Sequence, residues 1–253
     1  MQDLINAIAA KQAEVERLRG LASGGLRNFE HSQDLELTYT SNAIEGNTLS
    51  AVETTLVIEH GITVAGKPLR DHLEALDLYE AIRYVRGLGR RAEPLLEMDV
   101  RSLHRLVVLR SHPDLAGRYA DQGRYVPTAS GRQAFPSPAE VPALMGDFAA
   151  WLGSAADTPA TAFTAHRRLV QIHPFNDGNG RTARLLMNLI LVRAGYPPVA
   201  VRPVDRPAYL HALRRAQDGL GAEAFDRLLY ERLDRTLDEV LEALRDAQPQ
   251  ESA

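Results

Sequence analysis

Between His173 and Arg184 the chain reads HPFNDGNGRTAR, so a base, a carboxylate, two glycines and two arginines share twelve positions. Phe163, His166 and Val170 precede His173 at helical intervals, so His173 extends one helix face into the joint that follows. The turn Asp177-Gly178-Asn179-Gly180 lets the backbone come close to a ligand, because its glycines lack a Cβ. Its amides, with the positive end of the next helix, form an anion nest. Arg181 and Arg184 fall near the start of that helix, where the helix dipole disfavours cations. Two arginines in that place point to an anion between them. Asp177 beside a phosphate-sized site is a typical Mg²⁺ donor, since that ion keeps most of its waters. His173 is a base whose ordinary pKa, about 6.5, lies near working pH. Base, metal ligand, anion cradle and charge clamps together describe a phosphoryl- or nucleotidyl-transfer site.

Each residue alone has an ordinary structural use. DGNG is common punctuation between helices, and a histidine at a helix end often answers the dipole. Their concentration in one turn favours the chemical reading. The segment is not a Walker loop, because Phe175 and Arg181 stand where glycine and lysine belong.

The elements that must position these groups read as helices. Apolar spacing predicts helices over 2–19, 71–88 and 100–110, the last capped by Asp99. Ser50 and Glu53 form a capping box opening a short helix that stops at Gly61. Gly87 and Gly89 close the 71–88 helix. Residues 117–138 are rich in Gly, Pro and Ser and hold β-prone Tyr125 and Val126, which predicts an exposed hairpin with its turn at Ser130–Gly131. Helices resume after Ser137, with Pro138 in the first turn and Glu140 closing a capping box, and again at Thr158-Pro159, running to about Ile172. Further helices are predicted over 181–194, 207–219 and 222–246. The fold class is therefore mainly α with a small β-hairpin flap.

Composition sets the outer limits. The 253 residues carry a formal net charge of −4, which offers no global positive field for nucleic acid. There is no cysteine, which excludes disulfides, thiolate metal sites and cysteine nucleophiles. The N-terminal stretch is charged throughout, with no apolar signal core, and no run is long and apolar enough to span a bilayer. A cytoplasmic protein without membrane contact is expected. His104 and His166 lie on apolar helix faces and read as core residues. His60, His72, His112 and His211 have no partners at metal-ligand spacing, so no zinc site is expected.

The segment 173–184 resembles the Fic (Fido) motif, H-x-F-x-[D/E]-G-N-G-R-x-x-R, at every specified position. The resemblance extends over about 97–232 and implies an N-terminal helical region at 1–96, a Fido catalytic domain at 97–232 and a C-terminal helix end and tail at 233–253. It implies a protein adenylyltransferase that moves AMP from ATP to a Ser, Thr or Tyr hydroxyl and releases pyrophosphate. In that scheme His173 takes the hydroxyl proton and Asp177 holds Mg²⁺. Gly178, Asn179 and Gly180 cradle the phosphates, Arg181 contacts them, and Arg184 clamps the γ-phosphate. Phe175 anchors the loop in the core. The flap at 123–135 docks the target protein by strand pairing, with Val126 near the nucleotide. Tyr209 and Gln217, on the helix after GYPP, are candidates for the base pocket. Ala120 stands where such chains commonly have arginine.

Upstream, Ser41-Asn42-Ala43-Ile44-Glu45-Gly46 matches the family's inhibitory motif, [S/T]-x-x-x-E-[G/N]. On a helix, Ser41 and Glu45 share a face. A guanidinium fork suits a carboxylate as well as a phosphate, so Glu45 could take Arg184 from the γ-phosphate. The resemblance also implies a homodimer. Relatives that move other phosphate-containing groups, or remove AMP, leave those activities open. So does a non-catalytic nucleotide-sensing module, although a sensor has no need of His173.

Overall fold

The computed structural model describes residues 1–19, 26–89, 93–128 and 131–247. Five helices precede the flap: α1 (Gln2–Arg19), α2 (Leu26–Ile44), α3 (Ala51–His60), α4 (Leu69–Leu88) and α5 (Glu97–Val107). The flap is β1 (Tyr125–Thr128) and β2 (Gly131–Ala134). After it come α6 (Val141–Ser154), α7 (Pro159–Ile172), α8 (Asn179–Arg193), α9 (Arg206–Gln217) and α10 (Glu223–Asp246).

Helix α8 explains the architecture. Its LLMNLILV stretch is apolar on nearly every side, and such a helix must be covered all round. Every residue from Arg181 to Leu191 is buried. The cover comes from α7, α4 and α5, with α2 touching it as well. Phe148, Phe163, Phe175, Leu186 and Met187 fill the core between these helices. Helices α1 and α10 pack on each other at one side. The outcome places the first turn of α8, and the loop feeding it, at the meeting point of α2, α4, α5 and α7.

The local signals act largely as expected. Ser50 Oγ accepts from the Glu53 amide at 3.2 Å and Glu53 Oε2 from the Ser50 amide at 2.8 Å, and α3 ends at Gly61 with φ +64°. Thr158 caps α7 by accepting from the Thr161 amide, with Pro159 following. Several boundaries differ, such as α4 beginning at Leu69 rather than 71 and α5 ending at Val107 rather than 110, and three of them involve expected caps. Asp99 lies inside the first turn of α5 and reaches back to the Leu96 amide at 2.8 Å, so that helix starts two residues before it. Glu140 Oε2 accepts from both the amide and the hydroxyl of Ser137, yet the pair closes a turn ahead of α6. That helix starts at Val141 because Pro142 has no N–H and suits only a first turn. Gly87 continues α4, which ends at Gly89.

Strands β1 and β2 pair antiparallel, with Tyr125 opposite Ala134 and Val126 opposite Gln133. The expected turn at Ser130–Gly131 falls partly outside the described residues, which stop at 128 and resume at 131. No helix among the described residues is long and apolar enough to cross a membrane.

Candidate active site

The loop between α7 and α8 is held from below. Phe175 is fully buried, and its ring stacks flat on His104 at 3.6 Å between centroids. His104 Nδ1 accepts from the Gly117 amide at 3.0 Å, so its Nε2 carries the proton and donates to the Asp177 carbonyl at 3.0 Å. Burial pulls the His104 pKa down to about 4, which keeps this brace neutral. The Asn179 side chain clasps Phe175, accepting from its amide at 2.9 Å and donating to its carbonyl at 2.7 Å. That leaves Asn179 only its main chain to offer a ligand. Gly178 precedes α8 with φ +73°, a conformation that costs glycine little. The first-turn amides of a helix have no intrahelical acceptor, so this end of α8 is suited to an anion.

His173 leaves α7 with φ +52°, and among the described residues it is the only non-glycine with positive φ. Such a turn carries strain of order 1–3 kcal/mol. It swings the imidazole away from the helix and into a cavity of about 440 Å³. Val126, Phe135, Val170, Gly180, Arg184, Tyr209, Gln217 and Glu45 line the same cavity. A space of this size lies within the range of small-molecule sites, about 300–1,000 Å³. His173 Nδ1 lies 3.3 Å from the Val170 carbonyl and donates to it, leaving Nε2 as the acceptor. Burial, with the nearby Arg124 charge adding to it, pulls the His173 pKa down to about 4. The ring is therefore neutral at working pH.

Arg184 is nearly enclosed, and its fork is fully engaged. Nη2 donates to Glu45 Oε1 at 2.7 Å and to the Ser41 carbonyl at 2.9 Å, while Nε donates to Ser41 Oγ at 2.8 Å. Nη1 lies 3.5 Å from the Tyr209 hydroxyl, which donates to His166 Nε2 at 2.8 Å. Burial opposes the Arg184 charge, but Glu45 and Tyr209 outweigh it and hold the guanidinium above its ordinary range. Gly180 makes this approach feasible, since a Cβ there would run into Glu45 Oε1 and lie 3.2 Å from Arg184 Nη1.

Glu45 reaches that point because α2 ends there. The chain turns through Gly46, φ +95°, and the Asn47 amide returns to the Asn42 carbonyl at 3.1 Å. The next residues are tied to α4. Asp71 Oδ2 accepts from the amide and hydroxyl of Thr48, and Glu74 Oε2 accepts from Asn47 Nδ2 at 2.9 Å.

The acid side lies at the mouth of the loop. Asp177 has a side chain 44% exposed, with Oδ1 accepting from the Gly178 amide at 2.7 Å. Its Oδ2 stands 3.5 Å from Arg181 Nη2 and 3.5 Å from His112 Nε2. Buried Arg181 also approaches Glu74 at 3.3 Å. His112, which has no ligand-spaced partner in the sequence, is thus brought beside Asp177 and Glu74 by folding. Ligand atoms of these three lie within 4.8 Å of one another. Arg181 already places a positive charge between the two carboxylates, so the trio does not fit a bare cation held by all three. Asp177 alone fits Mg²⁺, because one accessible carboxylate among waters and phosphate oxygens suits a hard, hydrated ion. The sequence also gave no sign of Phe135, Leu210, His211, Leu213 and Arg214 as cavity residues. They come from the flap foot and from α9, where apolar spacing does not tell a cavity wall from a core face.

The fold is thus mainly helical, with a hairpin beside a neutral histidine and a helix end suited to an anion. The Fic/DOC family model matches residues 94–191. A Fic-1 fragment from C. elegans (aa134–508) superposes with a TM-score of 0.84 at 31% identity, covering 96% of this chain and 71% of that one. A Fic domain containing signaling protein from Bacteroides thetaiotaomicron superposes with a TM-score of 0.89 at 29% identity, covering 98% of this chain and 100% of that chain. The curated protein adenylyltransferase Fic of Nematostella vectensis is 40% identical over 210 residues, 80% of this chain and 48% of its own length. This chain spans about half the length of the curated relatives it matches. The chain belongs to the Fic/DOC family.

Proposed function

We propose that this chain is an autoinhibited protein AMP-transferase, moving AMP from ATP to a Ser, Thr or Tyr hydroxyl of a target protein with release of pyrophosphate. One observation carries the reading: the neutral imidazole of His173 and the guanidinium of Arg184 face one nucleotide-sized cavity, and Glu45 holds the guanidinium. The name shared by the curated relatives, protein adenylyltransferase, supports the choice of AMP.

In this reading Nε2 of His173 takes the proton of the attacking hydroxyl, the lone pair there being free while Nδ1 donates to Val170. An imidazole of pKa about 4 is a weak base, but triphosphate bound beside it would favour the protonated form and strengthen it. Mg²⁺ held at Asp177 would neutralise charge on the phosphates. The amides of Asn179 and Gly180 cradle phosphate oxygens, joined by that of Gly178 once Asp177 Oδ1 releases it, and Arg181 is the cation beneath them. Val126 and Gln217 border the nucleoside end. Tyr209 borders the same cavity and holds Arg184 from behind. The target chain docks along the flap at 123–135.

Autoinhibition follows from a contest for one fork. With Nη2 on Glu45 and Nε on Ser41, Arg184 is not free to clamp a γ-phosphate. A misplacement of about 1 Å costs on the order of 10²-fold in rate. The test is Glu45→Gly incubated with ATP and Mg²⁺, followed by intact-mass measurement of the protein and of added lysate proteins. Covalent gain of AMP well above wild type is expected. No gain, or gain of a different group, overturns the reading.

A further inference from the structure

The flap touches the base itself. Phe135, the residue after β2, lies flat against the His173 imidazole with centroids 3.8 Å apart and planes 10° from parallel. Both side chains border the same cavity. Phe135 is in turn fixed by the residue just ahead of β1, its amide donating to the Arg124 carbonyl at 3.0 Å. The Arg124 side chain straps the flap foot, donating to the carbonyl of Pro136 at 2.5 Å and to that of Gln122 at 3.3 Å.

The imidazole has few other restraints. Its one hydrogen bond among the described residues is long, 3.3 Å to Val170, and sits on the edge away from the reacting nitrogen. A single weak bond sets a direction for Nδ1 but lets the ring rock about it. A flat partner at van der Waals distance removes that rocking. We propose that Phe135 is the positioning residue of the base, fixing the plane of His173 and making the aim of Nε2 depend on the seat of the flap. An aliphatic side chain of similar volume would cover the ring without fixing its plane. A planar ring is therefore the property that matters. A target chain paired along the flap would, through Phe135, press the imidazole into its working plane.

This rests on the reading of His173 as base, so the experiment separates the two. In a Glu45→Gly background, Phe135→Tyr, Phe135→Leu and His173→Ala are compared for AMP transfer from ATP to the protein itself. Histidine-labelled NMR spectra of all three are recorded alongside, with the His173 signal identified by its loss in the alanine variant. The stack predicts a ring-current displacement of the His173 ring protons that survives in Phe135→Tyr and vanishes in Phe135→Leu. Transfer should fall on the order of tenfold in kcat for Phe135→Leu, with KM for ATP unchanged and near-parent rates in Phe135→Tyr. An unmoved His173 signal in Phe135→Leu, or equal rates for leucine and tyrosine, overturns the Phe135 assignment while the base stands. Full transfer by His173→Ala removes the base and leaves the stack to be judged by its resonance alone. Silence of every variant sinks the AMP-transfer reading, and the resonance again decides the stack.

Discussion

At Arg184 one side chain meets four acceptor contacts, three at the end of α2 and one on α9, and the Glu45 contact alone leads out to solvent. The Glu45 side chain is 41% exposed, and Arg184 keeps Ser41 and Tyr209 when it is gone. The guanidinium is buried and the carboxylate half-exposed, so the pair lies between a surface pair and a buried one. Glu45→Gly should therefore cost about 1–2 kcal/mol of unfolding free energy while transfer rises, as chemical denaturation beside the mass assay will show. A large loss of stability would mean that Glu45 holds the fold rather than the arginine's availability. His173→Ala should behave in the opposite way. Its imidazole borders the cavity but is not the main anion contact, so titration of ATP should give nearly unchanged affinity while transfer disappears. His173 was legible from its residue type and neighbours, whereas Glu45 was marked only by the inhibitory motif that the resemblance supplies. Phe135 was not legible, because an aromatic residue beside a hairpin carries no mark of what its face will touch.

The element that decides the site is the α7–α8 loop, and its shape is set by residues that do no chemistry. Asn179 closes it on Phe175 with two hydrogen bonds at 2.9 and 2.7 Å, and His104 fills the space beneath. Removing a buried clasp of two hydrogen bonds costs about 1–3 kcal/mol. Asn179→Ala should thus lower the melting midpoint and weaken ATP binding, since the amides lose their common orientation. Calorimetry with and without ATP checks both, and a variant of normal stability and normal affinity would contradict this role. Helices α3 and α7 were readable from caps and spacing, as Ser50, Gly61, Thr158 and Pro159 illustrate. The starts of α5 and α6 shifted because a carboxylate such as Asp99 or Glu140 serves equally well from inside a turn or ahead of it. Periodicity does not separate these two placements.

For the molecule as a whole, burial of neutral histidines ties stability to pH. His166 is fully buried next to Arg184, Arg167 and the Tyr209 hydroxyl, and burial first, then those cations, pushes its pKa well below the ordinary value. In the unfolded chain the same group protonates near pH 6.5. The unfolded state then binds the extra proton and the folded state does not, so stability is lost as pH falls below about 6.5. His173, with a folded pKa of about 4, adds to the loss over the same range. Unfolding free energy should decline from pH 7 to pH 5, and the decline should be shallower in His166→Asn, as denaturant titrations at each pH will show. A parallel decline in both proteins would assign the effect to other groups.

The family motif marked the carboxylate at Glu45, while the sequence alone determined a mainly helical chain, its hairpin and the chemistry available between His173 and Arg184. Those are local matters, fixed by residue type, cap and period. Only the tertiary structure decided that Glu45 meets Arg184 across 139 positions, that His112 faces Asp177, and that Phe135 lies on His173. The physical reason is that helical periodicity records which face of an element is covered, not which element covers it. Contacts between distant elements arise only when α2, α4, the flap foot and α8 pack around one core.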